Sequence, residues 1–339
     1  SVGALATIRD GDGYRNIVAG LDARWWINDQ HKIIAQHLES ETEYPLETAL
    51  EFDQPLGAFS GSASSVGYEF DSRNWFARFR YLRLGEGYRN DLGLQQRSGV
   101  YRQSVNLAHI WHGEDESWWT RVRLRGQYDI LHKDDGEFAA RYLMVRLGVS
   151  GPMQSWVNLS VREGAEQDDG FVFNKQGIGL YTEFRPRSGL AVTFFIEDGE
   201  QIDFANNRLA DQLFFKSTID WNVGRNLLLG IDTLLVDLDT KDGETIFEAS
   251  VLDTRVTWQF NMRSFLRFTW QRAETMRNPA VYMEEVDANS RNDGRQLLYS
   301  YKINPQTVFF LGYSDQFLDD DDLDGLTVSD RNIFLKVGY

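Results

Sequence analysis

Apolar residues recur at every second position along most of this chain. In its last eight residues, Ile333, Leu335, Val337 and Tyr339 fall on one face and Asn332, Lys336 and Gly338 on the other, with Phe334 the exception. That is a strand of period two ending on an aromatic. The chain opens the same way. Val2, Ala4, Ala6 and Ile8 share a face, and after the turn at 10–13 Leu21, Ala23, Trp25 and Ile27 alternate with Asp22 and Arg24. Strands of this kind are predicted at 2–9, 16–27, 32–40, 62–71, 74–84, 102–112, 118–131, 137–149 and 154–163. They continue at 175–185, 189–199, 209–222, 227–238, 248–260, 264–273, 295–303, 306–316 and 331–339. The count is about eighteen, with sixteen as the other reading, both even numbers as single-chain bacterial barrels require. The third strand is ambiguous in parity.

The connections alternate in length. Those after even strands are short, at 71–73, 151–152, 185–188, 224–225, 261–263 and 304–305. Most of those after odd strands are longer and acidic, at 41–60, 86–101, 164–174, 200–208, 239–247, 274–294 and 317–330. Trp25, Trp26, Trp75, Trp111, Trp118, Trp119, Trp156, Trp221 and Trp258 lie within a few residues of a short turn, and Trp270 lies farther along its strand. Indole is apolar with one donor, so it settles where headgroups meet hydrocarbon. A soluble sandwich has no reason to sort its loops by parity. The pattern predicts an all-β fold, a transmembrane antiparallel up-and-down β-barrel filling 1–339 as one outer-membrane domain of a Gram-negative cell. Both termini are expected in the periplasm, with apolar positions facing lipid and polar ones a lumen.

Composition narrows this further. No run of about 20 apolar residues could form a membrane-spanning helix. Asp and Glu number 51 against 35 Lys and Arg, a net charge of −16, which disfavours nucleic acid as a partner. Cysteine is absent, so disulfides and thiolate chemistry are excluded. The opening Ser1-Val2-Gly3 reads as a processed or excised start.

Register then assigns the expected lumen. Arg78 and Arg80 alternate with Phe79 and Tyr81, and Arg121, Arg123 and Arg125 with Val122 and Leu124. Arg146 and Arg162 follow, then Glu183, Glu197, Lys216, Asp220, Asp232, Asp253, Arg255 and Arg267. An arginine-rich wall opposite a mixed one would set a transverse field across a polar pore; alternatively, the arginines pair with acidic neighbours or an inserted loop. Asp320, Asp322, Asp324 and Gly325 spell D-x-D-x-D-G, a calcium candidate, although the twelfth place of such a loop is Arg331 instead of Glu. No H-E-x-x-H or G-x-S-x-G occurs. Ser104, five residues before His109, is the one hydrolase-like pair considered, and no catalytic residue is assigned.

Tyr88-Arg89-Asn90-Asp91-Leu92-Gly93, Leu297-Leu298-Tyr299-Ser300-Tyr301 and Asn304-Pro305-x-Thr307-Val308-Phe309-Phe310-Leu311-Gly312-Tyr313 carry a resemblance, together with 260–267 and the closing strand. They resemble the uncharacterised barrel domain at the C-terminus of large bacterial surface proteins, where it follows a domain similar to family 9 carbohydrate-binding modules. Leu94 stands where that pattern has Phe. The resemblance implies an outer-membrane barrel with a link to glycans through the neighbouring domain; it carries no catalytic residues. The expectation is a porin-like channel for small polar solutes, saccharides among them. The alternative is a non-conducting anchor or scaffold that holds or sheaths a partner. Expected partners are outer-membrane lipid and lipopolysaccharide, the barrel-assembly machinery through the closing strand, and a periplasmic or surface protein.

Overall fold

A computed structural model describes all residues except 94–96, 305 and 339. Eighteen strands run up and down: β1 Val2–Gly11, β2 Tyr14–Trp26, β3 His31–Glu43, β4 Phe59–Asp71, β5 Trp75–Leu84, β6 Val100–His112, β7 Arg121–Lys133, β8 Phe138–Gly151 and β9 Ser155–Asp168. Then come β10 Phe171–Arg187, β11 Leu190–Asp203, β12 Arg208–Val223, β13 Leu227–Thr240, β14 Thr245–Asn261, β15 Ser264–Arg277, β16 Asn289–Lys302, β17 Val308–Asp320 and β18 Thr327–Gly338. They form one sheet in which each strand lies beside the next in sequence, antiparallel to it. One helical turn, α1 (Leu46–Glu51), interrupts the connection between β3 and β4. Contacts group the chain into two compact units. The first is Ser1–His112, Arg123–Arg146 and Arg162–Asn174; the second is Gly113–Val122, Leu147–Val161 and Lys175–Tyr339.

Antiparallel partners share a face, so the ladders assign the side chains of β1–β6 and β10–β18. In the first unit Leu21 pairs with Ala4 and His37, and Trp75 with His109; these belong to the apolar face. Asn16 pairs with Thr42 and Val18 with Ser40 on the other face. The third strand thereby acquires a parity, with Lys32, Ile34, Gln36, Leu38, Ser40 and Thr42 on the polar face. Its pattern is unreadable from sequence because Leu38 fills the space left by Gly20, where a Cβ would sit 2.3 Å from Leu38 Cδ2. Phe334, the apolar exception of β18, has the same cause: its ring lies over Gly312, opposite it in the ladder.

The strands outrun the predicted ones at the long-loop end. Predicted loops 164–174, 200–208 and 239–247 shrink to 169–170, 204–207 and 241–244. These ends set apolar residues side by side, as at Phe171-Val172-Phe173 and Ile246-Phe247, or are mostly polar, as at 164–168, which removes the alternation that marks a strand, yet the ladder needs only paired backbone. About 9–11 tilted residues cross a bilayer, and β10 and β14 have 17 each, so their far ends continue beyond it.

The sheet has no sandwich core. Apolar side chains such as Leu21 (64% exposed), Leu107 (53%) and Leu335 (66%) stand open on one face. On the other, Arg80, Lys216, Asp220, Asp232 and Arg255 are exposed as well. Buried apolar clusters are small: Val18, Ala63 and Tyr88 in the first unit, and Ala210, Leu238 and Ile246 in the second.

Candidate functional site

In the first unit the polar face carries a cationic wall. Glu69 stands between two cations in the ladder, taking Lys32 Nζ at 2.7 Å and Arg78 Nη2 at 2.6 Å. One step further, Arg80 lies opposite Gly67 and Ser104 and makes no ion pair among the described residues. Arg125 donates through Nε to Asn106 Oδ1 at 2.9 Å, and the charges of Arg146, Arg123 and Arg78 all bear on it. Arg162 shares this face, alternating with the exposed Val161. Glu69 is bonded into this row at Lys32 and Arg78, while Arg80 and Arg125 meet only neutral groups among the described residues and add positive potential there.

The polar face of the second unit is mixed. Thr218 donates to Asp232 at 2.6 Å, and Gln271 to Asp253 at 2.5 Å. Asp232 and Asp253 face each other across β13 and β14, beside Arg255 opposite Gly230. A 650 Å³ cleft opens over β14–β18, lined by Arg255, Arg267, Gln271, Asn292, Gln296 and Gln316. Arg121 belongs to this unit, its guanidinium 5.5 Å from the Trp156 ring. The connection 278–288 folds back as well: Arg208 donates to Val281 O at 2.9 Å, and Val281 and Tyr282 pack on Ala210, Leu238 and Ile246.

The sequence reading missed the inward turn of residues 85–93. Tyr88, 3% exposed, packs on Val18 and Ala63 of the polar face. Gly61 permits this approach, since a Cβ there would lie 2.1 Å from Tyr88 N. Asn16 accepts from Asp91 N at 3.3 Å and donates to Arg89 O at 3.1 Å, and Ser40 Oγ accepts from Arg89 N at 3.0 Å. The Arg89 guanidinium is held by Gln54 Oε1 at 2.7 and 2.9 Å and by the carbonyls of Glu86 and Tyr88. Tyr14 and Tyr44 both donate to Asp91. Burial, then the Asp91 carboxylate, pushes the Tyr44 hydroxyl up to about 12, and burial with the same carboxylate raises Tyr14 further. The signal that could have revealed the turn is a run of small residues, Gly61 and Ala63, opposite Gly85-x-Gly87-Tyr88.

No family model matches this chain, and no curated protein matches it. Solved structures do. The ferric enterobactin receptor PfeA superposes with a TM-score of 0.56 at 7% identity, covering 95% of this chain and 66% of that one. The copper transporter OprC gives 0.53 at 10% identity, covering 94% of this chain and 61% of that one. The siderophore receptor PirA from Pseudomonas aeruginosa gives 0.52 at 7% identity, covering 99% and 71%. This chain has the fold of an outer-membrane β-barrel. Its exposed apolar face meets lipid, its polar face is lumenal, and the protein resides in the outer membrane.

Against that frame some expected sites change. Trp26 and Trp156 leave the lipid-facing girdle: Lys32 Nζ lies 4.8 Å above the Trp26 ring, and Trp156 covers lumenal Gly148. Asp320, Asp322 and Asp324 do not converge as a calcium site. Asp320 accepts from Asp322 N at 3.1 Å to close its own turn, and no metal-competent group of three acids or histidines exists among the described residues. Ser104 donates to Asp129 on the lumenal face, while His109 lies between Trp75 and Trp111 on the lipid face, tilted against the first and edge-on to the second, so the two cannot form a dyad. Tyr339, Leu94 and Pro305, which the sequence reading used, lie outside the described residues.

Proposed function

We propose that this barrel is a porin-like passage for small polar solutes, with saccharides among them. The observation that carries the reading is the double exposure of the sheet. Lumenal Arg80, Lys216, Asp220, Asp232 and Arg255 are open to solvent on the face opposite the lipid-facing apolar residues. A filled lumen would have buried and paired them, because unpaired buried charge is costly. Saccharides are favoured by the second unit's wall, where Gln271, Asn292, Gln296, Ser314 and Gln316 offer amide and hydroxyl groups that both donate and accept. The inward turn of residues 85–93 covers part of the first unit's polar face and leaves a 510 Å³ cleft beside itself. Planar-bilayer conductance of the purified barrel, with liposome swelling in saccharides, tests this. Steady channels with swelling are expected; intact, folded barrels with neither would favour the non-conducting scaffold.

A further inference from the structure

The inward turn builds a second feature with its own chemistry. Its 510 Å³ cleft is lined by Arg9, Tyr14, Tyr44, Phe52, Arg89 and Arg97, with Gln54, Asn90 and Asp91 beside them. Arg9 comes from the lumenal face of β1, opposite Asn16, and its guanidinium lies 4.4 Å from the Tyr14 ring centroid. It makes no ion pair among the described residues, so its edge remains available. Tyr14 in turn leans on Tyr44, ring centroids 5.5 Å apart. Both hydroxyls are committed to Asp91, which fixes the rings and occupies the one acidic group of the lining. Arg89 is held by neutral oxygens alone. Arg97 meets Glu166 at 3.5 Å.

Three guanidiniums set against Asp91 and Glu166 leave one net positive charge, matched to a monoanion. Guanidinium planes grip a carboxylate through paired N–H groups. The tilted Tyr14–Tyr44 pair and the 61% exposed Phe52 offer ring faces for an apolar or C–H-rich surface. We propose that this cleft captures a small ring-bearing carboxylate, such as a sugar acid, as it enters the lumen. The assignment rests on reading the barrel as a passage. A neutral sugar lacks the charge that Arg9 and Arg89 are set to meet, and a phosphate dianion exceeds the net charge offered.

Equilibrium binding to the detergent-solubilised full chain tests it, by saturation-transfer NMR and calorimetry with glucuronate, glucose and glucose 1-phosphate as probes. Glucuronate is expected to bind at least tenfold more tightly than the other two. Arg9→Gln, at an exposed side chain that packs on the Tyr14 ring while Asp91 holds that ring independently, should weaken glucuronate at least tenfold. Arg97→Gln should weaken it less, and Arg123→Gln in the distant wall should leave it unchanged. Equal binding of glucose and glucuronate, tighter binding of the phosphate, or full affinity in Arg9→Gln would each overturn the assignment. Conductance is measured on the same proteins. A conducting barrel that fails to bind overturns this site alone, whereas binding without conductance overturns the passage.

Discussion

Asp91 illustrates how single residues here act through their neighbours. Its carboxylate takes two phenolic hydroxyls, and both tyrosines respond with raised pKa values, Tyr44 to about 12. An unfolded tyrosine ionises near 10. A folded value above that means the anchor's contribution is complete below about pH 10 and is lost as pH rises through the folded value. The turn at 85–93 should therefore stay docked from neutral pH to about 10 and loosen above 11, seen as rising hydrogen exchange at Tyr88 and Arg89. Replacing both Tyr14 and Tyr44 by Phe should loosen it at neutral pH, by about 1–2 kcal/mol after allowance for partial exposure. At this scale the face of a residue is legible where charge alternates with apolar bulk, as at Arg78 beside Phe79. The sequence misled at Trp26 and Trp156, because a large ring on the lumenal face fits wherever a glycine or a lysine stem lies beneath it.

Strands were legible because lipid on one face and water on the other impose a period of two on every membrane-crossing segment. All eighteen could be found, and the long-loop ends could not be placed, since above the bilayer that contrast disappears while the ladder continues. Depth follows from the same ladders. Leu266 pairs with Trp258, at the level of the aromatic girdle, whereas Ile231 lies farther along β13 opposite Thr254. Ile231→Arg should therefore cost about 2–4 kcal/mol and Leu266→Arg about 0–1, although both are lipid-facing. Urea refolding followed by heat-modifiable gel mobility measures both, and equal costs would show the depth assignment to be wrong. The inward turn was missed, because its one signal is a set of small residues, Gly61 and Ala63 with Gly85 and Gly87, that meet only once the strands pair. It has its own prediction. Gly61→Ala places a methyl against Tyr88 N and should displace the turn while leaving the barrel folded, raising single-channel conductance. Unchanged conductance would mean that the turn does not constrict the passage.

For the whole molecule the central claim is a water-filled lumen with an electrostatic preference. Arg80, Arg123, Arg125, Arg146 and Arg162 provide positive charge, reduced locally where Glu69 binds Lys32 and Arg78. Asp220, Asp232 and Asp253 oppose it elsewhere on the lumenal face, and the connections add Glu284, Glu285, Asp287, Asp321, Asp322 and Asp324. Screening limits each effect to about 10 Å at 0.1 M salt. A modest anion preference follows, well short of strict selectivity. The deciding measurement is the reversal potential in a planar bilayer under a salt gradient, for the native chain and for Arg121, Arg123 and Arg125 all changed to Gln. The account predicts conductance in both, with an anion preference in the native barrel that the triple variant loses. No conductance in either protein, or a reversal potential unmoved by removing three lumenal arginines, would contradict it.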